Sequence, residues 1–269
     1  MIIGCSHIVL SSCDFESDVK QVEELGYKLK FSQHKIPVHH EKKSYLRKYQ
    51  EKQSMAFFTS DSGPFLEISQ YNNSHAGEFN PYSILFRGKV NKKFPNANSA
   101  ILDLLWSKSF NALNSEHYYM QGQHQIISYA NNDESRRGIE AISCQVSNLE
   151  MAQFFFHEAL NLKVNKSLLL SDSCKATCLE YKGPVDNWSL KLVLWEDANK
   201  KSDKIYLDDM GFNILSFLSS NLANDRFSLL SYPFISSTGI MHFNINNRKL
   251  KVELFQLMDG AFIELIQFT

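Results

Sequence analysis

The feature that most constrains the fold is a pattern of strand, helix and three strands that occurs near the start of the chain and again from Gly138. In both places a polar residue stands where it can cap the helix, Asp14 in the first copy and Asn148 in the later one. Alignment of the two caps superimposes the segments, which indicates an internal repeat. The strands predicted from apolar alternation are 2–11, 27–33, 54–60 and 64–71 in the first copy, and 139–147, 162–170, 175–182 and 188–195 in the later one.

Two weaker copies are predicted between and after these. One would open at 82–86 and close at 123–129, and the other would open at 211–217 and close at 261–267. Four copies in 269 residues give roughly 67 residues each. The polar, charged segment 131–137 is the best predicted linker, and it divides the chain into two domains, 1–132 and 138–269, with two copies in each.

Two ionisable residues stand inside strands that are otherwise apolar. His7 interrupts the first strand, and Glu67 interrupts the last strand of the same copy. Strand alternation places His7 on one face with Cys5 and Val9. Burial of an unpartnered carboxylate costs several kcal/mol, and a metal ion shared by the two side chains would offset that cost. The simpler alternative is a hydrogen-bonded core histidine beside a hydrogen-bonded carboxylate.

This order of elements, with His on the first strand and Glu on the last, resembles the vicinal oxygen chelate superfamily, which includes glyoxalase I, bleomycin-resistance proteins and extradiol dioxygenases. The resemblance is carried by Ser6–Leu10, Asp14, Leu25–Tyr27, Phe65–Ile68, Gly138–Ile142, Asn148–Glu150 and Phe262–Ile266. It implies an α+β fold in which four βαβββ modules pair into two cup-shaped mixed sheets. It also implies a divalent metal on a concave face, held by first and last strands of paired modules, that chelates oxygens of a small substrate.

The copies differ in how well they match the metal positions that the resemblance implies. The first copy supplies both, as His7 and Glu67. The third has Ala141 and Lys191 at the aligned positions, and the fourth has Asn213 or Ile214 in place of histidine. The metal site is therefore expected in the first half, which argues against an extradiol enzyme with its iron in the second half.

A third ligand is needed in most such sites, and two candidates remain. Gln125 would approach His7 if consecutive copies pair, which is the simpler topology. Glu264, on the last strand of the fourth copy, is the better ligand chemically and requires the first copy to pair with the fourth. Glu264 could instead form a salt bridge with a cation such as Lys191. The resemblance gives Glu67 or Glu264 the further role of a catalytic base.

The polar stretch from His34 to Lys52 allows two interpretations. Its basic residues, among them Lys42 and Arg47, could attract an anionic substrate to one wall of a pocket. A solvated loop or short helix is the favoured interpretation.

Bulk properties exclude several classes of protein. The net charge of −1 gives no basic footprint for nucleic acid, and no apolar run reaches the ~18 residues that span a bilayer. Five irregularly spaced cysteines do not indicate a disulfide framework, so the cytoplasm is the expected compartment.

The sequence thus favours a metal-dependent lyase, isomerase or dioxygenase with a small oxygen-bearing substrate. Iron, manganese, zinc and nickel all suit mixed nitrogen and oxygen ligands. The alternative is a non-catalytic protein that sequesters a small molecule, as bleomycin-resistance proteins do. A homodimer is left open.

Overall fold

The computed structural model describes residues 1–71, 81–87, 96–97, 99–110, 116–120, 125–130, 138–197, 204–232, 235–245, 247–258 and 260–269. The linker predicted at 131–137 lies outside the described residues.

The first and third copies follow the predicted order of elements. The first contains β1 (Ile2–Ser11), α1 (Phe15–Glu24), β2 (Lys28–Pro37), a 3-10 helix (His40–Tyr45), β3 (Lys52–Thr59) and β4 (Phe65–Tyr71). The second contains β5 (Tyr82–Arg87), β6 (Asn96–Ala97), α2 (Ala100–Phe110), β7 (Glu116–Met120) and β8 (Gln125–Ala130). The third contains β9 (Gly138–Gln145), α3 (Leu149–Glu158), β10 (Lys163–Ser171), β11 (Cys174–Tyr181) and β12 (Leu190–Asp197). The fourth contains β13 (Gly211–Ser219), α4 (Leu222–Leu230), β14 (Ser236–Ser237), β15 (Met241–Ile245), β16 (Arg248–Gln256) and β17 (Phe262–Phe268).

The predicted helix caps are confirmed. The side chain of Asp14 accepts a hydrogen bond from the amide of Ser17, and that of Asn148 accepts one from the amide of Met151. These bonds satisfy amides that the first turn of a helix leaves without a partner, which fixes where α1 and α3 begin.

The first and fourth copies share a further capping device. Ahead of α1, the hydroxyl of Ser12 donates to Asp18 at 2.5 Å, and ahead of α4 the hydroxyl of Ser219 donates to Asp225 at 2.6 Å. The cap of α4 is Asn221, whose side chain accepts from the amide of Asn224. Both segments therefore have the pattern Ser-x-Asx-x-x-x-Asp, which indicates that these two copies are closely related in structure.

Two mixed sheets are formed, and each combines two copies that are not the expected pair. The nine-stranded sheet has the order β14-β16-β17-β13-β1-β4-β3-β2, with β15 on β16, and the eight-stranded sheet has the order β10-β11-β12-β9-β5-β8-β7-β6. The first copy thus pairs with the fourth, and the second with the third.

The sequential pairing favoured by the sequence is therefore wrong, because β1 is bonded to β4 on one side and to β13 on the other. A long connection adds little closure entropy, since that cost grows only with the logarithm of loop length. Each sheet takes strands from both predicted domains. Whether 1–132 and 138–269 are separate domains is not tested by this pairing.

The main core lies between the two sheets. It contains apolar side chains of both sheets together with residues of α1, α3 and α4, such as Val22, Phe155 and Leu229. Close backbone contact also joins the sheets: a Cβ at Gly183 would lie 2.1 Å from the carbonyl oxygen of Ile3. Glycine is therefore required at position 183.

One prediction about the first strand fails. Cys5 packs in the main core, whereas Val9 packs in a separate cluster on the other face of the sheet. An irregular register between Cys5 and Ile8 breaks the strict alternation that would have kept the two side chains on one face.

The five cysteines are free, as the sequence predicted. Among the described residues, none of the helices has the length and apolar character needed to cross a membrane.

Candidate functional site

The nine-stranded sheet curves around a cavity of about 300 Å³, here called the cup cavity. Its lining comes from strands at both ends of the sheet and from the centre, since Phe31 of β2, His7 of β1 and Leu250 of β16 all contribute. The volume is at the lower end of the range for small-molecule pockets. Phenylalanines supply much of the wall; they are Phe31, Phe57, Phe65, Phe243 and Phe268.

His7 and two glutamates meet in this cavity. The Nε2 atom of His7 lies 3.4 Å from Oε2 of Glu67 and 3.4 Å from Oε2 of Glu264, and the three side chains are 3%, 13% and 13% exposed. The pairing of neighbouring strands explains why these three side chains lie close together. Val9, two residues beyond His7, pairs with Glu67 across β1 and β4, and Ser216 of β13 pairs with Glu264 across β13 and β17.

Hydroxyl groups complete the hydrogen bonding of this group. Ser69 donates to Oε1 of Glu67 at 2.8 Å, and Ser216 donates to Oε2 of Glu264 at 2.7 Å. The Ser216 hydroxyl also lies 3.1 Å from Nε2 of His7, so it bridges the imidazole and one carboxylate. Glu67 and Ser69, two residues apart on β4, therefore lie on the same face of the sheet.

Burial and charge act on these groups in opposite directions. Burial disfavours the imidazolium form, but the hydrogen bond to Glu67 and the charges of both glutamates raise the pKa of His7 above its ordinary value. Burial alone would raise the pKa of Glu67, yet its bonds and charge interaction with His7 bring it below the ordinary value. Burial and the charge of Glu67 keep the pKa of Glu264 raised, against the charge of His7. The two carboxylates therefore differ in proton affinity, with Glu264 the weaker acid.

A buried lysine stands beside this group. Lys42 belongs to the 3-10 helix at His40–Tyr45 and is 7% exposed. Its ammonium lies 3.5 Å from the hydroxyl of Tyr71 and 5.7 Å from the ring centre of Phe243. Burial lowers the pKa of Lys42, but interactions with Tyr71, Glu264 and Glu67 outweigh this effect, so the pKa is raised overall. The stretch thus contains the short helix that the favoured interpretation allowed, but Lys42 is buried and not solvated.

The segment that carries Lys42 is anchored to the start of the fourth copy. The amide of Leu207 donates to the carbonyl of Tyr45 at 2.8 Å, and the amide of Arg47 donates to Asp208 at 2.8 Å. The Arg47 guanidinium forms an ion pair with Asp209, which is almost completely buried. These contacts hold the segment against the nine-stranded sheet and close one end of the cup cavity.

The structure brings together three of the four predicted ligands, and Gln125 is the exception. Gln125 begins β8 in the eight-stranded sheet, whereas His7, Glu67 and Glu264 all lie in the nine-stranded sheet. Because both edges of β1 are already paired, β8 cannot lie beside it. His124, which precedes Gln125, lies outside the described residues.

Strand register also corrects two of the aligned positions. Ser143, which corresponds to Val9, pairs with Val193, so Val193 rather than Lys191 is the counterpart of Glu67 in the third copy. Lys191 instead forms an ion pair with Glu140, and it is not the partner of Glu264. In the fourth copy, alignment of the helix caps Asp14 and Asn221 makes Ile214, and not Asn213, the counterpart of His7.

The corresponding face of the eight-stranded sheet is filled by a helix. Leu102, Leu105 and Trp106 of α2 pack on Ala141 and Val193, which occupy the counterpart positions of His7 and Glu67. The indole nitrogen of Trp106 donates to the hydroxyl of Ser128 at 2.8 Å. In the part of this sheet that the structure describes, core therefore replaces a second cavity of this kind, and no sequence pattern predicts that α2 lies on this face.

The donor set suits a divalent metal in chemical type. One imidazole nitrogen and two carboxylates match the mixed ligands of iron, manganese, zinc or nickel. Two ligands about 2.1 Å from a shared ion lie about 3.0–3.4 Å apart, which is compatible with the 3.4 Å separations from His7 to Glu67 and Glu264. Within the described residues, however, no group of three or more His, Cys, Asp or Glu side chains is arranged to hold a metal. Ser216 lies between two of the donors, and an ion would have to displace its hydrogen bonds.

Solved structures are similar to this chain over nearly its whole length. Glyoxalase I from Zea mays superimposes with a TM-score of 0.62 at 14% identity, over 98% of this chain and 92% of that one. A mutant of the same enzyme gives a TM-score of 0.63 at 15% identity, with the same coverage. A putative dioxygenase from Bacillus subtilis gives 0.56 at 8% identity, over 99% of this chain and 85% of that one.

The chain has the vicinal oxygen chelate fold. The α+β architecture of repeated βαβββ-like modules in mixed sheets is thereby confirmed. Because the sequence identities to these structures are low, the similarity concerns the fold alone. No protein-family model matches the sequence, and no curated protein matches it.

Proposed function

We propose that this protein is a metal-dependent enzyme that binds a small oxygen-bearing organic molecule in the cup cavity. The metal would be held by His7, Glu67 and Glu264. The observation that carries the proposal is the convergence of these three side chains, almost buried, in a cavity whose wall is largely apolar. Buried carboxylates are costly unless they serve a partner, and perturbed groups that converge in a cavity are candidates for function.

The metal would supply Lewis-acid chemistry or bind dioxygen, and in either case orient two oxygens of the substrate. The protein's own groups have separable roles. The phenylalanine walls exclude water from the reacting group, which strengthens the charge interactions inside the cavity. Glu67 or Glu264 would act as a base on leaving the metal, and without a metal Glu264 has the higher proton affinity, because its pKa is raised and that of Glu67 is lowered. Ser216 orients His7 and Glu264 through its two contacts.

The full-length likeness to glyoxalase I and to a putative dioxygenase supports this class of chemistry without selecting between lyase, isomerase and dioxygenase activity.

A second candidate is a protein that sequesters a small molecule without catalysis. Two observations favour it: the carboxylates already accept hydrogen bonds from Ser69 and Ser216, and the ammonium of Lys42 lies near them. The cavity could then bind an apolar ligand with no metal present.

The test is elemental analysis of the purified protein after growth with iron, manganese, zinc and nickel. We expect a stoichiometric metal in the native protein and its loss in His7→Ala and Glu264→Gln, because each change removes a ligand. The matched control is Glu140→Gln, a partly buried carboxylate of the other sheet that pairs with Arg87 and Lys191. A metal retained equally by all variants would disprove this site. A metal-free native protein that copurifies with an organic ligand would favour sequestration.

A further inference from the structure

Lys42 is unusual because its charge is buried while its hydrogen-bonding capacity is largely unused. An ammonium has three donors, and burial of such a group without partners is costly. Among the described residues its hydrogen bond is to the hydroxyl of Tyr71, at a long 3.5 Å. The contact with the face of Phe243 adds a weak cation–π interaction. Lys42 therefore has donors that a ligand in the cup cavity could use.

The nearby carboxylates do not account for this lysine. Glu67 and Glu264 attract it electrostatically, but their hydrogen bonds are to Ser69, Ser216 and the imidazole of His7. If a divalent ion binds there, as proposed above, it balances both carboxylates. The positive charge of Lys42 is then left without a counterion, and a monoanionic ligand would supply one.

The buried position of Lys42 favours the closed end of the cavity for that anion, because the other two cations of the lining, Lys30 and Arg248, are exposed to solvent. The segment 38–50 closes one end of the cavity, where Tyr71 and Lys42 are buried. At the other end Phe65 and Phe268 are 36% and 54% exposed, so the opening is on that side. A ligand that reaches Lys42 must pass between aromatic walls, which favours an aromatic body with the anionic group at its inner end.

We propose that Lys42 is a specificity-determining residue that binds the carboxylate of an aromatic acid at the closed end of the cup cavity. This inference rests on the proposed function for its full effect, since the metal frees the charge of Lys42. It adds to that function a substrate class and the residue that selects it.

The test compares two probes of similar shape, phenylglyoxylate and its neutral analogue 1-phenylpropane-1,2-dione. Calorimetric titration of the full chain is carried out with manganese and again after chelation. We expect the native protein to bind the acid on the order of 10- to 100-fold more tightly than the dione, the range for a hydrogen bond to a charged group. Lys42→Met should abolish this preference and leave binding of the dione unchanged. Lys43→Met is the matched control, because Lys43 is the next residue and is exposed.

The outcomes separate this inference from the proposed metal site. Metal binding with a preference that Lys42→Met does not alter overturns the inference and leaves the metal site intact. If the protein binds no metal but its preference for the acid still depends on Lys42, the metal site is disproved and the inference about Lys42 is retained. Failure of the native protein to bind phenylglyoxylate in either state also overturns the inference. Lys42→Gln serves as the second variant if Lys42→Met does not fold.

Discussion

Asp18, in the first turn of α1, should make the protein less stable as the pH rises through weakly acidic values. Burial raises the pKa of its carboxyl, and the hydrogen bond from Ser12 opposes that rise. The charge of Asp14 raises the pKa further, and the net result is a pKa of about 6. An aspartate in an unfolded chain has a pKa of about 3.9. Between about pH 4 and 6 the folded protein therefore holds a proton that the unfolded chain has released. Stability is lost as the pH rises across this window.

The size of the effect follows from the shift. About two pKa units, at about 1.4 kcal/mol each, set an upper value of about 3 kcal/mol for the free energy lost above pH 6. Asp18→Asn removes the charge and keeps an oxygen that can accept from Ser12. We therefore expect the free energy of unfolding to rise by about 1–3 kcal/mol at pH 8 and to change little at pH 4.5.

Urea unfolding followed by circular dichroism at the two pH values measures this difference. Asp61→Asn is the control, because that carboxylate is 75% exposed and its surface ion pair with Lys28 should be worth no more than about 1 kcal/mol. An equal gain for Asp18→Asn at both pH values, or a loss at pH 8, would refute the argument from burial and charge.

Two further variants test how the sheets are packed. Gly183→Ala should lower the free energy of unfolding in urea by about 1–3 kcal/mol, because the new Cβ would lie 2.1 Å from the carbonyl of Ile3. Gly239→Ala is the control, because its Cβ would meet no atom within 4 Å and only the strain of a φ of +77°, about 1–2 kcal/mol, is expected. Equal losses of stability in the two variants would contradict the predicted clash between position 183 and Ile3. Trp106→Ala should lower the thermal midpoint through a loss of about 3–5 kcal/mol, since the side chain of Trp106, on α2, is fully buried. Phe227→Ala, at a side chain 73% exposed, should have little effect, and a similar shift would argue against a core at α2.

Local structure was largely predictable from local sequence. The caps at Asp14 and Asn148 were recognised because a single side chain satisfies amides only two or three residues away. The opening and closing strands of the weaker copies were found from apolar alternation, although α4 was missed. The signal for α4 was present in Ser219, Asn221 and Asp225, which repeat the capping pattern of the first copy.

The candidate site was predictable only in its individual residues. His7, Glu67 and Glu264 were recognised because ionisable side chains interrupt strands that are otherwise apolar. The polar stretch around Lys42 predicts a solvated residue, because the anchors of the segment, Leu207 and Asp208, are distant in sequence.

Local sequence is sufficient to predict the repeated module, its caps, and the polar residues that its strands would have to bury. These properties depend on neighbours along the chain, and they are decided by helix and strand periodicity. The pairing of the first copy with the fourth, by which Glu264 rather than Gln125 meets His7, is evident only in the folded chain. Loop entropy barely distinguishes the alternative pairings, and the choice is made by packing between distant segments. The same packing fills one cup with α2 and leaves the other open.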